Sequence, residues 1–166
     1  MSKTPNLPLN DQQTGQLRAL ILAELAHARL LHHRLTDELT LLRHPNAEAL
    51  QAAARRKSAS LQHLSQLANE RLQWLNEHQL PLAEAFLQHP TIQHHADIRS
   101  LWQQLAAWYE RNRTLSARLS DIVLKNRRRV QQRLEILRGK KQQSTILYNK
   151  QGQSQLGGTG GGYISA

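Results

Sequence analysis

The chain has 166 residues and no cysteine; 39% are hydrophobic, only 4% aromatic, and the formal net charge is +10. That length suits one domain, and a composition rich in Leu and Ala but poor in aromatics suits helices joined along apolar seams. Without cysteine there are no disulfides or thiolate metal sites; MSKTPNLPLN lacks the apolar run of a secretory signal, no stretch reaches the ~18 apolar residues of a membrane span, and a cytoplasmic address is expected.

Pro5, Pro8 and Asn10-Asp11 mark a loose leader, after which Leu17, Ile21, Leu25, Ala28, Leu31, Leu35, Leu39 and Leu42 recur at steps of three and four. This is one face of a helix, starting near Asp11 or Thr14 and running to about His44, roughly 40 Å long and in need of a long partner. His44-Pro45-Asn46 breaks it, because a residue before proline avoids helical geometry and Asn46 can cap the next helix. That second helix carries Leu50, Ala54, Lys57, Leu61, Leu64, Ala68, Leu72 and Leu75. With Lys57 in its track, poorer packing is expected at 53–59. The short connection makes the two helices an antiparallel hairpin.

Leu80-Pro81 ends the second helix, 82–88 can form two further turns, and His89-Pro90 breaks the chain again. From Thr91 or Ala96 a third helix is expected, with Ile98, Leu101, Leu105, Trp108, Asn112, Leu115, Leu119 and Ile122 in an unbroken heptad seam. The track then runs Asn126, Val130, Leu134 and Leu137, and the consecutive steps of four are a stutter. Near Asn126 the helix is expected to change partner or leave the bundle, and Gly139 is a plausible C-cap. The fold class predicted is therefore all-α: an antiparallel hairpin plus a third long helix, coiled-coil-like, over an elongated domain 1–139.

Residues 140–166 contain six glycines and few apolar anchors, so they have little to bury against the ~1–2 kcal/mol of backbone entropy each residue would cost to order. They are expected to form a disordered tail, with the island Ile146-Leu147-Tyr148 as a segment that orders on a partner. Charge concentrates around its start: residues 125–150 hold nine Lys and Arg against Glu135, or +8 of the +10. Such an end attracts acidic protein, nucleic acid or anionic lipid, and charge alone does not choose among them.

No catalytic constellation is present, so the chain is not expected to be an enzyme. His32-His33 and His94-His95 are adjacent pairs that point apart on a helix, HExxH is missing, and neither metal nor cofactor is expected. The run GGTGGG lacks the following Lys-Ser/Thr and the preceding strand of a phosphate loop. Trp102 and Trp108 are expected in packing, Asn112 and Asn126 as register markers, and Arg127-Arg128-Arg129 as a solvated run.

NRRRVQQRLEILRG at 126–139, ILYNKQGQ at 146–153 and the closing GGYISA together resemble the FlgN family of flagellar export chaperones. The resemblance implies a cytosolic chaperone of flagellar type III export that binds the C-terminal helical segments of hook–filament junction proteins and delivers them to the export gate. An amphipathic client helix needs a groove or an apolar face, and the stutter points to Leu115, Leu119, Ile122, Val130, Leu134 and Leu137 as that face. By family analogy, Leu147 and Tyr148 would dock the export gate. Two other classes remain open on the residues alone: a basic helical nucleic-acid-binding protein, which the charge explains but no recognition motif supports, and a generic coiled-coil scaffold. An open helical seam can be closed by the client or by a second copy, so a homo-oligomer stays among the partners.

Overall fold

Asn10 opens the first helix with a reciprocal cap. Its side chain accepts from the Gln13 amide at 2.8 Å, and Gln13 Oε1 accepts from the Asn10 amide at 2.9 Å. The computed structural model describes residues 8–44 and 46–139, with the backbone of 140–143, 147–148 and 154–155. Helix α1 spans Asp11–Leu41, slightly short of the expected His44. Leu17, Ile21, Leu25, Ala28, Leu31 and Leu35 are buried as the periodicity predicts, and Thr14, Glu24 and Glu38 are buried among them.

Helix α2 spans Ala47–Glu77 and is capped by Asn46, which accepts from the Ala49 amide at 3.1 Å. It lies antiparallel to α1: Lys57 meets Glu38, Arg71 meets Glu24 and Trp74 meets Gln16. The seam it presents is a correction to the expected track. Ala53, Ser60, Leu64, Arg71, Trp74 and Leu75 are buried, while Ala54 and Leu61 face outward. Leu64 and Leu75 are where the track put them and Leu50, Lys57, Ala68 and Leu72 are half-buried, so the track fails at Ala54 and Leu61, where small Ala53 and Ser60 face inward instead. Packing is thin at 53–59, as expected, with five of the seven residues exposed, but the half-buried Lys57 is paired, its ammonium reaching Glu38 at 2.7 Å.

The end of α2 is closed by a paired turn. The Leu80 amide donates to Leu75 O and the Gln79 amide to Asn76 O, with Gln79 in the left-handed region at φ 55°. Leu75 and Leu80 both enter the core, and Pro81 stops any continuation. Short 3-10 turns at Glu84–Gln88 and Ile92–His94 come next. Phe86, Leu87 and Ile92 join the core, and the Phe86 ring stands edge-on to Trp102 at 5.0 Å.

Helix α3 spans Ala96–Gln143. Its heptad track is buried or half-buried at every position from Ile98 to Ile122, with Ile98, Leu105, Asn112 and Leu119 the most enclosed. Its side chains pair with α1 residues between 75 and 85 positions earlier, so α3 runs parallel to α1. At that offset Ser120 is level with the last turn of α1, and the hairpin has nothing more to offer. The chain divides at this point into two units, Met1–Ser120 and Asp121–Ala166. The first is an all-α three-helix bundle.

In the second unit α3 continues through Gly139 to Gln143, so Gly139 is not a C-cap. Its φ lies outside the left-handed range, and an added Cβ would meet nothing within 4 Å. Arg138, Lys140 and Lys141 favour helix strongly enough to carry the chain past one glycine. Further on, Leu147–Tyr148 pairs antiparallel with Ser154–Gln155. The remainder of the expected disordered tail lies outside the described residues. No helix among the described residues is long and apolar enough to cross a membrane.

Candidate functional site

Two surfaces carry chemistry: a polar network inside the bundle and an apolar stripe on the late part of α3. Glu24 has no exposed surface and accepts twice from Arg71, from Nε at 2.6 Å and from Nη2 at 3.2 Å. Tyr109 donates its hydroxyl to Glu24 Oε1 at 2.5 Å. Burial, then the bond to Glu24 and its negative charge, push the phenol pKa well above its ordinary value. The Arg71 guanidinium lies 4.9 Å from the centre of the Trp102 ring. One carboxylate thus ties α1 to both α2 and α3. A second tie is Asn112, which donates to Ala28 O at 2.8 Å while its Oδ1 meets His32 Nδ1 at 3.0 Å. Apart from Arg71 Nη1, which is buried without a hydrogen-bond partner, the buried polar atoms of these groups are matched to one another, and the network leaves no vacant acid, base or nucleophile.

The network is structural in its chemistry, and sequence reasoning reached only part of it. Asn112 was expected as a register marker. Glu24 and Arg71 were not foreseen, because a charged residue beside an apolar track is ordinarily solvated. The signal that could have found them is spacing: Glu24 and Arg71 stand beside Leu25 and Leu72, at facing heights of an antiparallel hairpin.

Beyond Ser120 the character of α3 changes. Every described side chain from Val123 to Gly139 is exposed. Val123, Val130, Leu134 and Leu137 are 45%, 57%, 49% and 61% exposed. At 100° per residue these four share one face with Asn126. Arg127 and Arg138 flank that face on one side and Arg133 on the other. The arrangement is an apolar strip about four turns long with a basic border, suited to the apolar face of an amphipathic helix carrying acidic flanks.

The residues expected to bind a client fall into two sets. Val130, Leu134 and Leu137 lie on the exposed strip. Leu119 is buried in the bundle core, Leu115 packs against that core, and Ile122 is half-buried. Val123, which the heptad count passed over in favour of Ile122, belongs to the exposed strip. Leu147 and Tyr148 form the short strand described above, and their side chains lie outside the described residues. Both tryptophans of α3 are half-buried, Trp102 against Phe86 and Trp108 edge-on to His32 at 5.2 Å. Among the described residues no group of three or more His, Asp or Glu could hold a metal ion.

No curated protein and no solved structure is matched by this chain. The sequence model of one family, described as FlgN protein, matches residues 13–155, which takes in the hairpin, all of α3 and the short strands beyond it. The chain therefore belongs to the FlgN family and is a flagellar export chaperone.

Proposed function

We propose that this chaperone holds the C-terminal helical segments of hook–filament junction proteins on the exposed strip of α3 and delivers them, from the cytoplasm, to the flagellar type III export gate. The observation that carries this reading is the exposed face of Val123, Val130, Leu134 and Leu137, interrupted only by Asn126 and left open on a helix whose preceding turns are packed. A client helix bearing apolar residues at matching intervals would cover it, and acidic residues beside them would meet Arg127, Arg133 and Arg138. Leu115 and Leu119 would then support the strip from within the bundle and touch the client only if the bundle opens. Leu147 and Tyr148 are proposed to serve the later step at the gate, where an aromatic side chain brings much contact area with few rotatable bonds.

The experiment is a titration of purified chaperone with a hook–filament junction protein. Leu134→Ala with Leu137→Ala should weaken binding by a few kcal/mol in total, on the ~1.5–3 kcal/mol scale for burying one large apolar side chain. The melting temperature should not change, since neither side chain is buried in the free protein. Tyr148→Ala should bind the client normally and secrete it poorly. Undiminished affinity in the double variant would overturn the client site, and normal secretion of Tyr148→Ala would overturn the gate role. Binding that collapses with salt and is competed by DNA would favour a nucleic-acid partner instead.

A further inference from the structure

A helix that lies in the plane of a lipid surface needs a particular cross-section. Its apolar residues form one sector, and long basic side chains stand at both edges of it, where their stems cover acyl chains and their heads reach phosphates. The late part of α3 has this cross-section. At 100° per residue, Val123, Val130, Leu134 and Leu137 fall within about 60° of one another, and all four are exposed. Asn126 is the one polar residue among them. Arg127 and Arg138 stand at one edge of the sector, and Arg133 with Arg129 at the other. The opposite face carries Lys125, Arg128, Gln132 and Glu135 beside Leu124 and Ile136. Glu135 is the only acid between 123 and 139, so no carboxylate borders the apolar sector.

We propose that this segment binds the surface of an anionic lipid bilayer, lying in its plane with Val123, Val130, Leu134 and Leu137 among the acyl chains and Arg127, Arg133 and Arg138 at the phosphates. Nucleic acid would engage the arginines and leave the four aliphatic side chains uncovered, whereas an anionic bilayer engages both. Two valines and two leucines, with no aromatic, make a shallow anchor. Attachment is therefore reversible and depends on the six Lys and Arg between 123 and 139 meeting anionic headgroups. Position round the helix decides which charges matter. A helix with its side chains is about 10–12 Å across, and charge is screened over ~8 Å at physiological salt. The arginines at the sector's edges thus act strongly, and Lys125 and Arg128 on the far face act weakly. The bilayer covers the same side chains that the proposed client would cover, so client and lipid compete and the membrane holds the empty chaperone. Lipid binding does not rest on the client reading, because it is tested on the chaperone alone.

The test is flotation of the nuclease-treated, client-free protein with vesicles of equal parts phosphatidylglycerol and phosphatidylcholine, and with vesicles of phosphatidylcholine alone. The protein is expected to float with the anionic vesicles and not with the neutral ones, and less of it as salt is raised. Leu134→Ser with Leu137→Ser, and separately Arg127→Gln with Arg133→Gln, should each remove most of the binding with unchanged helical circular dichroism. Lys125→Gln with Arg128→Gln removes the same charge from the far face and should remove little. The chain has no cysteine, so Leu134→Cys and Arg128→Cys can each carry one polarity-sensitive dye. On anionic vesicles the dye at position 134 should shift to the blue and the dye at position 128 should not, and free inorganic phosphate should shift neither. Absence of flotation with anionic vesicles would overturn the proposal, and retention on DNA in that case would assign the charge to nucleic acid. Flotation that survives the two serines would also overturn it, as would equal losses from the edge pair and the far-face pair.

Discussion

Glu24 is fully enclosed, and its charge is met by Arg71 from α2 and by Tyr109 from α3. Removing the guanidinium would leave a buried carboxylate without its counter-ion, so Arg71→Met should destabilise the protein by about 3–5 kcal/mol in chemical denaturation. Glu24→Leu combined with Arg71→Met should recover most of that loss, because the pair is then replaced by apolar volume. Strict additivity of the two single losses would contradict the coupling. His89 is buried ahead of Pro90, and its Nδ1 accepts from the Thr91 amide at 3.3 Å. Burial lowers its pKa from 6.5. Above that value His89 is neutral in both folded and unfolded chains and contributes no pH dependence. Below it the unfolded chain takes up a proton that the folded chain refuses, so stability falls as pH drops from 6.5 toward the folded pKa. His89→Asn keeps an acceptor and removes the titration, and thermal melts between about pH 7 and 5 should show a shallower decline for that variant. None of these roles was visible in the sequence. Periodicity counts apolar residues, and the buried Glu24, Glu38 and Arg71 sit one position away from leucines that took the count.

At the scale of elements, the track of α3 from Ile98 to Ile122 was fully legible, since a heptad repeat packed between two helices leaves little freedom of register. The cap at Asn46 was also legible as local chemistry, whereas Asn10, read as part of the leader, proves to cap α1. The seam of α2 was legible only in part: Leu64 and Leu75 are buried as expected, but Ala53, Ser60 and Arg71, which a hydrophobic pattern reads as surface, complete it. The end of α3 was not legible. Gly139 sits inside the helix with open space around it, and Gly139→Ala should stabilise that segment by roughly 0.5–1 kcal/mol through backbone entropy. Amide exchange around 136–143 should slow in this variant. Faster exchange would mean that Gly139 does adopt a left-handed cap in solution.

Over the whole molecule, chemistry is divided along the chain. Residues up to Ser120 bury their main apolar track in the hairpin core, held by the Glu24 and Asn112 ties. From Val123 to Gly139 the apolar residues have no cover, and six Lys and Arg stand against one Glu. The stutter near Asn126 announced this change correctly in place. Leu115 and Leu119, which the stutter grouped with that face, lie in or against the bundle core, because a heptad continues in sequence whether or not its partner helix has ended. Membership of the FlgN family gives the chain its class, and the strip is where we propose that it meets its cargo. The most direct measurement is amide hydrogen exchange of the chaperone with and without a hook–filament junction protein. The account predicts new protection concentrated in residues 123–137, with the exchange of α1 and α2 little changed. Protection confined to the hairpin, with 123–137 exchanging as fast as in the free protein, would contradict it.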